Sequence, residues 1–180
     1  MEPRRFIFLD IDGVINHDKW YRYIHDNFRE LGIGEWDKYQ RHFCPENVQL
    51  LNQLEGCEVV ISSSWCYNEE LVQGLKNAGL NLPVIGCTIH YSLYDESLCR
   101  GNDIAKWFVE NVSEYQPNDR IRHLSRKRWF EDREGNPFTY VIFDDYNDML
   151  VQQQEHFIYI NPKVGIRQKD INQAKKILRL

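Results

Sequence analysis

Short unbroken apolar runs alternate along this chain with longer stretches in which apolar residues recur every three or four positions. The runs are RFIFLDI (5–11), CEVVIS (57–62), LPVIGCT (82–88), TYVIFDD (139–145) and FIYI (157–160). They are short and rich in β-branched and aromatic residues, so they read as strands buried on both faces. The periodic stretches are PENVQLLNQL (45–54), NEELVQGLKNAGL (68–80), GNDIAKWFVENV (101–112) and the closing KDINQAKKILRL (169–180). Pro45 and Glu46 suit the first turn of one helix, and Gly79 suits the end of the next. Ile104, Trp107, Phe108 and Val112 share a face of the third. Strands of this kind alternating with helices predict an α/β domain, a central parallel sheet covered on both sides.

Two segments interrupt the alternation. In 17–43, Trp20, Ile24, Phe28 and Leu31 recur at helical spacing and predict a short packed helix, with Gly32 and Gly34 to end it. The second, 120–138, closes with EGNP, a turn signal that fits a hairpin. Its basic cluster of Arg120, Arg122, Arg126, Lys127 and Arg128 precedes Glu131, Asp132 and Glu134. Ion pairs across the hairpin and a nucleic-acid contact through 120–128 are the two readings of that cluster. The whole of 1–180 reads as a single domain. The segment 17–43 is too small, once a helix is subtracted, for more than a minimal lid.

Composition narrows the class. Of 180 residues, 42% are apolar and 27% charged, which excludes a disordered chain. The net charge of −5 disfavours a general polyanion binder. Cysteines number five, and none is spaced as CxxC, so neither a disulfide framework nor a zinc site is expected. They read as small residues in a reducing, cytoplasmic compartment, with Cys57 and Cys87 inside strands. Asp10 cuts short the first apolar run, so no signal peptide is expected, and no run is long enough to span a membrane.

The chemistry sits at the strand ends. In parallel sheets ligands bind beyond the carboxyl ends of the strands. Three of these strands end in polar side chains: Asp10 and Asp12, Ser62 to Ser64, and Asp144 and Asp145. Asp10 and Asp12, two residues apart, would share a face and repel each other, and a divalent cation or a shared proton is the usual compensation. Metal-assisted phosphoryl transfer accounts for these residue types. Asp10 would be the nucleophile, and Asp12 would protonate the leaving oxygen and later take a proton from water. Ser62, with Ser63 beside it, and Arg100 would hold the phosphoryl oxygens, and Gly13 would let the backbone approach the phosphate. Hard oxygen ligands from Asp10, Asp12, Asp144 and Asp145 suit Mg²⁺. Asp145 is expected as the direct ligand with Asp144 behind it, and Asp148 is a weaker candidate. Trp65 reads as a packing residue. The six histidines show no metal-binding spacing.

FLDIDGVIN, VVISSSW, RGNDIAKWF and VIFDDYND occur in the order of the four motifs of the haloacid dehalogenase (HAD) superfamily. With the tail INPKVGIRQKDINQAKKIL they resemble the small HAD domains of Swiss-Army-knife RNA repair proteins. The resemblance covers all but the two interrupting segments. It implies a Rossmann-like three-layer sandwich with a minimal cap, bound Mg²⁺ and phosphatase chemistry through an aspartyl-phosphate. Expected substrates are phosphate monoesters, among them nucleotides and nucleic-acid ends. Two positions depart from the pattern. Arg100 stands where lysine is usual, with Lys106 the alternative cation, and Cys66 stands where an arginine often follows SSW. The alternative function class is a phosphate- or nucleic-acid-binding module on the same scaffold that lacks turnover.

Overall fold

The computed structural model describes residues 3–32, 43–65, 69–89, 98–112 and 138–180. Five strands form one all-parallel sheet: β1 (Arg4–Leu9), β2 (Glu58–Ile61), β3 (Val84–Cys87), β4 (Phe138–Asp144) and β5 (Phe157–Tyr159). The helices are α1 (Asp18–Asn27), α2 (Pro45–Leu51), α3 (Glu69–Asn77), α4 (Arg100–Asn111) and α5 (Gln168–Leu178), with a 3-10 helix, Val151–His156, before β5. This is the α/β architecture with a parallel sheet expected from the sequence pattern, in the Rossmann-like form that the resemblance implies. The 3-10 helix has no counterpart in that pattern.

Alternation along the strands builds two cores. Ile7 and Leu9 of β1 face the same side as Val59, Ile61, Val141 and Phe143, where α2, α3 and α5 add Leu51, Leu75 and Ile171. Phe6 and Phe8 point the other way, toward Val60, Tyr140 and Ile142. There α4 buries Ile104, Trp107, Phe108 and Val112, the four residues expected on one face. Phe8 meets Trp107 and Phe108 edge-on at centroid distances of 5.4 and 5.1 Å, a geometry that adds to plain area burial. Among the described residues, no helix is long and apolar enough to cross a membrane.

The strand order is β3-β2-β1-β4-β5. The chain moves outward from β1 to β3 and then returns to the other side of β1 with β4. The β1/β4 boundary is therefore the point where the winding reverses, and the crevice beyond the strand ends is where such sheets bind ligands. Register aligns the ends. Leu9 pairs with Ile61 and Phe143, Asp10 N–H donates to the Phe143 carbonyl (3.0 Å), and Ser62 N–H donates to the Leu9 carbonyl (2.8 Å). Asp10, Ser62 and Asp144 thus stand at one level on the carboxyl edge of the sheet.

The helix expected over the start of 17–43 is present as α1, and Gly32 adopts the left-handed conformation (φ 69°). Its inward face is not the expected stripe: Ile24 is buried, but Leu31 lies past the helix end and is 45% exposed. Gly34, Cys66 and the basic cluster Arg120–Arg128 with its hairpin lie outside the described residues.

Candidate active site

β1 ends at Leu9, and the chain leaves the sheet in a tight loop. The N–H groups of Ile15 and Asn16 both donate to the Ile11 carbonyl. Gly13 turns the loop at φ 75°, a conformation L side chains rarely adopt. Added at Gly13, a Cβ would overlap the Asp145 carboxylate. Gly13→Ala is therefore expected to destabilise the domain by about 2 kcal/mol, from left-handed strain plus displacement of Asp145. Urea unfolding checks this, and an unchanged midpoint would show that the loop re-forms around the methyl group.

This early exit separates the first two acids. Asp10 and Asp12 do not stand side by side on a strand. The Asp10 carboxylate joins those of Asp144 and Asp145, each offering an oxygen within 4.8 Å of the others. The Asp12 side chain lies outside that cluster and is exposed. Its Oδ2 accepts from Trp65 Nε1 at 2.8 Å, and its Oδ1 accepts from the Tyr21 hydroxyl. The like charge that presses on Asp10 is that of Asp144.

The cluster is electrostatically unbalanced. Burial first, then Asp144, pushes Asp10 up to about 7, although Arg100 and a hydrogen bond from the Ser63 side chain pull the other way. Burial likewise raises Asp144 to about 6, against Arg100 and the Tyr146 N–H. Asp145, half-buried, is raised by burial, with Asp12 adding to the effect. Among the described residues, one guanidinium faces the three carboxylates. Arg100 Nη1 lies 3.6 Å from Asp10 Oδ1, and its Nε lies 3.7 Å from Asp144 Oδ2. Such a deficit of positive charge around hard oxygen donors fits a divalent cation such as Mg²⁺.

Arg100 is fixed by both ends. It opens α4, and its backbone N–H donates to Asp148 Oδ2 (3.1 Å) while Gly101 N–H donates to the Asp148 carbonyl (3.0 Å). Asp148 therefore anchors the first turn of α4. At the other end, the guanidinium donates to the Ser62 carbonyl. Lys106 points elsewhere, its Nζ 3.7 Å from Glu110 on the surface of α4. The Ser62 hydroxyl is buried with no hydrogen-bond partner among the described residues. A buried hydroxyl without a partner is costly, and an incoming anionic oxygen would satisfy it. Asp144 Oδ1 accepts from Tyr146 N–H (2.9 Å) and its Oδ2 faces Arg100, so both its oxygens are engaged while Asp145 is more open.

The model of the HAD domain in Swiss Army Knife RNA repair proteins matches residues 6–171. The chain belongs to this family. Membership supports a phosphohydrolase type of function in general terms. No curated protein and no solved structure matches the chain. The match spans the four motifs quoted above and both interrupting segments. In this HAD domain the structure brings Asp10, Asp144, Asp145, Arg100, Ser62, Ser63 and Gly13 to one place at the end of β1. The contacts of Tyr21 and Trp65 with Asp12, and of Asp148 with α4, were not expected from the sequence. The nearest signal is that Tyr21 lies three residues before Ile24, an inward spacing as valid as that of Trp20.

Proposed function

We propose that this HAD domain hydrolyses a phosphate monoester through an aspartyl-phosphate on Asp10, with a nucleotide or a phosphorylated nucleic-acid end as the substrate. The observation that carries the reading is the gathering of Asp10, Asp144 and Asp145 against Arg100 at the sheet's switch point. An Asp10 carboxylate oxygen attacks phosphorus, and the bond from phosphorus to the leaving oxygen breaks. Asp12 gives its proton to that leaving oxygen. It then takes a proton from the water that attacks the aspartyl-phosphate, and breakage of the Asp10–phosphorus bond restores the carboxylate. Ser63 holds Asp10 in line. Ser62 donates its free hydroxyl to a phosphoryl oxygen, and Arg100 takes another through its guanidinium.

Mg²⁺ would be held by Asp10 and Asp145, with Asp144 behind them, and when bound supplies the positive charge that lets a phosphate approach three carboxylates. The nucleic-acid preference is supported by the family to which the chain belongs and by exposed aromatics on elements bordering the site. Tyr23, 46% exposed, stacks on Trp20 along α1, and Tyr146, 71% exposed, directly follows Asp145. Aromatic faces of this kind accept bases with little regard to sequence.

The test is turnover of an aryl phosphate, followed by nucleotides and 3′- or 5′-phosphorylated oligonucleotides. Release of phosphate that needs Mg²⁺ and stops with chelator is expected. A purified, folded protein that releases none from any of these substrates would overturn the reading.

A further inference from the structure

We propose that Tyr21 and Trp65 are positioning residues that hold the Asp12 carboxylate for proton transfer, a role that rests on the phosphohydrolase reading above. Asp12 sits on the exposed side of the loop after β1, where a carboxylate with two free torsions would sample several rotamers. Here both of its oxygens are taken, from different parts of the fold. Tyr21 on α1 donates to Oδ1, and Trp65, in the turn after β2, donates to Oδ2.

The donors are themselves fixed. Tyr21 precedes buried Ile24 by one helical step, and its hydroxyl also bonds the Asn16 side chain. Asn16 is buried, and its Oδ1 accepts the Cys44 N–H at 3.2 Å. The Trp65 ring packs on the main core and tilts against Phe43 at a centroid distance of 6.0 Å. An indole N–H can only donate. Burial and the Asp12 charge push the Tyr21 hydroxyl upward, so it keeps its proton and donates as well. A carboxylate offers about four lone-pair sites, so the clamp leaves two for a leaving oxygen or a water. The clamp also keeps Asp12 out of the Asp10–Asp144–Asp145 cluster, free to handle protons while those acids meet the cation.

The experiment measures Tyr21→Phe, Trp65→Phe and Asp12→Asn, singly and in pairs, on two Mg²⁺-supported substrates. One is p-nitrophenyl phosphate, whose leaving group needs no proton, and the other an alkyl phosphate, whose leaving group does. In single-turnover measurements, which leave out the later step in which Asp12 takes a proton from water, each aromatic variant is expected to slow formation of the aspartyl-phosphate about 10- to 100-fold from the alkyl phosphate and less than about 3-fold from p-nitrophenyl phosphate. In the Asp12→Asn background neither is expected to cost more. Equal losses on both substrates, or losses that add to that of Asp12→Asn, would overturn the proposal.

A second readout needs no turnover. The indole ¹H–¹⁵N resonance of Trp65, assigned by its loss in Trp65→Phe, is expected to move in Asp12→Ala. An unmoved resonance in a protein that does turn over defeats the clamp alone. A moved resonance in a protein without turnover defeats the phosphohydrolase reading, and the positioning role with it.

Discussion

Asp10→Asn is expected to lower phosphatase turnover by about four orders of magnitude, with the domain still folded and KM for the phosphate little changed. The substitution keeps size and shape and removes the carboxylate proposed as the nucleophile. A 10⁴-fold loss corresponds to about 5.5 kcal/mol of transition-state stabilisation. Asp144 and Asp12 are not placed to take over the attack. Asp144 is 2% exposed with one oxygen on the Tyr146 N–H and the other facing Arg100, and Asp12 is held outside the cluster by Tyr21 and Trp65. Steady-state kinetics on an aryl phosphate with Mg²⁺ makes the measurement. Asp145→Asn provides the contrast. As the more open acid of the cluster, it should raise the Mg²⁺ concentration needed for half-maximal rate, and excess Mg²⁺ should recover part of the loss. Equal rates for the wild type and Asp10→Asn would remove Asp10 as the nucleophile.

Asp10 was legible because its position follows from two one-dimensional facts. Apolar runs that end in acids mark the carboxyl ends of strands, and a parallel sheet puts those ends on one edge. Asp10, Ser62 and Asp144 meet because the register of β1 with its two neighbours is set by the same alternation that buries Phe6, Phe8, Ile7 and Leu9.

What could not be read is where the chain departs from the strand. The spacing of Asp10 and Asp12 implies a shared face only while the backbone remains extended, and β1 stops at Leu9. Beyond it the two carboxylates meet different partners, Asp10 the cluster and Asp12 the side chains of Tyr21 and Trp65. Trp65 reads as packing by residue type, and its ring does pack, but the direction of its N–H depends on a loop 53 residues away. Asp148 looked like a spare metal ligand in an acidic motif. Its use as the anchor of α4 depends on the β4 end meeting a helix start 48 residues earlier. The last two are contacts between segments distant in sequence, which periodicity does not encode.

The same cluster predicts an unusual dependence of stability on pH. For most folded proteins, paired carboxylates titrate below their unfolded values and stability is lost in acid. Here Asp10 is raised from 3.8 to about 7 and Asp144 from 3.8 to about 6. The folded state therefore binds more protons than the unfolded state through this range, so stability must fall as pH rises. The contribution is fully present below about pH 4 and is lost as pH passes through 6 to 7. The metal-free domain should therefore lose stability between about pH 4 and pH 8 from this source. His17, whose pKa is lowered from 6.5 by burial, acts in the opposite sense and costs stability in acid. Comparison with Asp10→Asn isolates the cluster, because His17 is common to both proteins. In chelator, Asp10→Asn should melt above the wild type at pH 8, and the gap should close toward pH 5. Mg²⁺ should reverse the order of pH effects, since deprotonated ligands bind it and protons compete. The rise in wild-type Tm on adding Mg²⁺ should be large at pH 8, small at pH 5 and reduced in Asp10→Asn. A gap between wild type and variant that does not change with pH in chelator would show that Asp10 carries no excess proton in the fold.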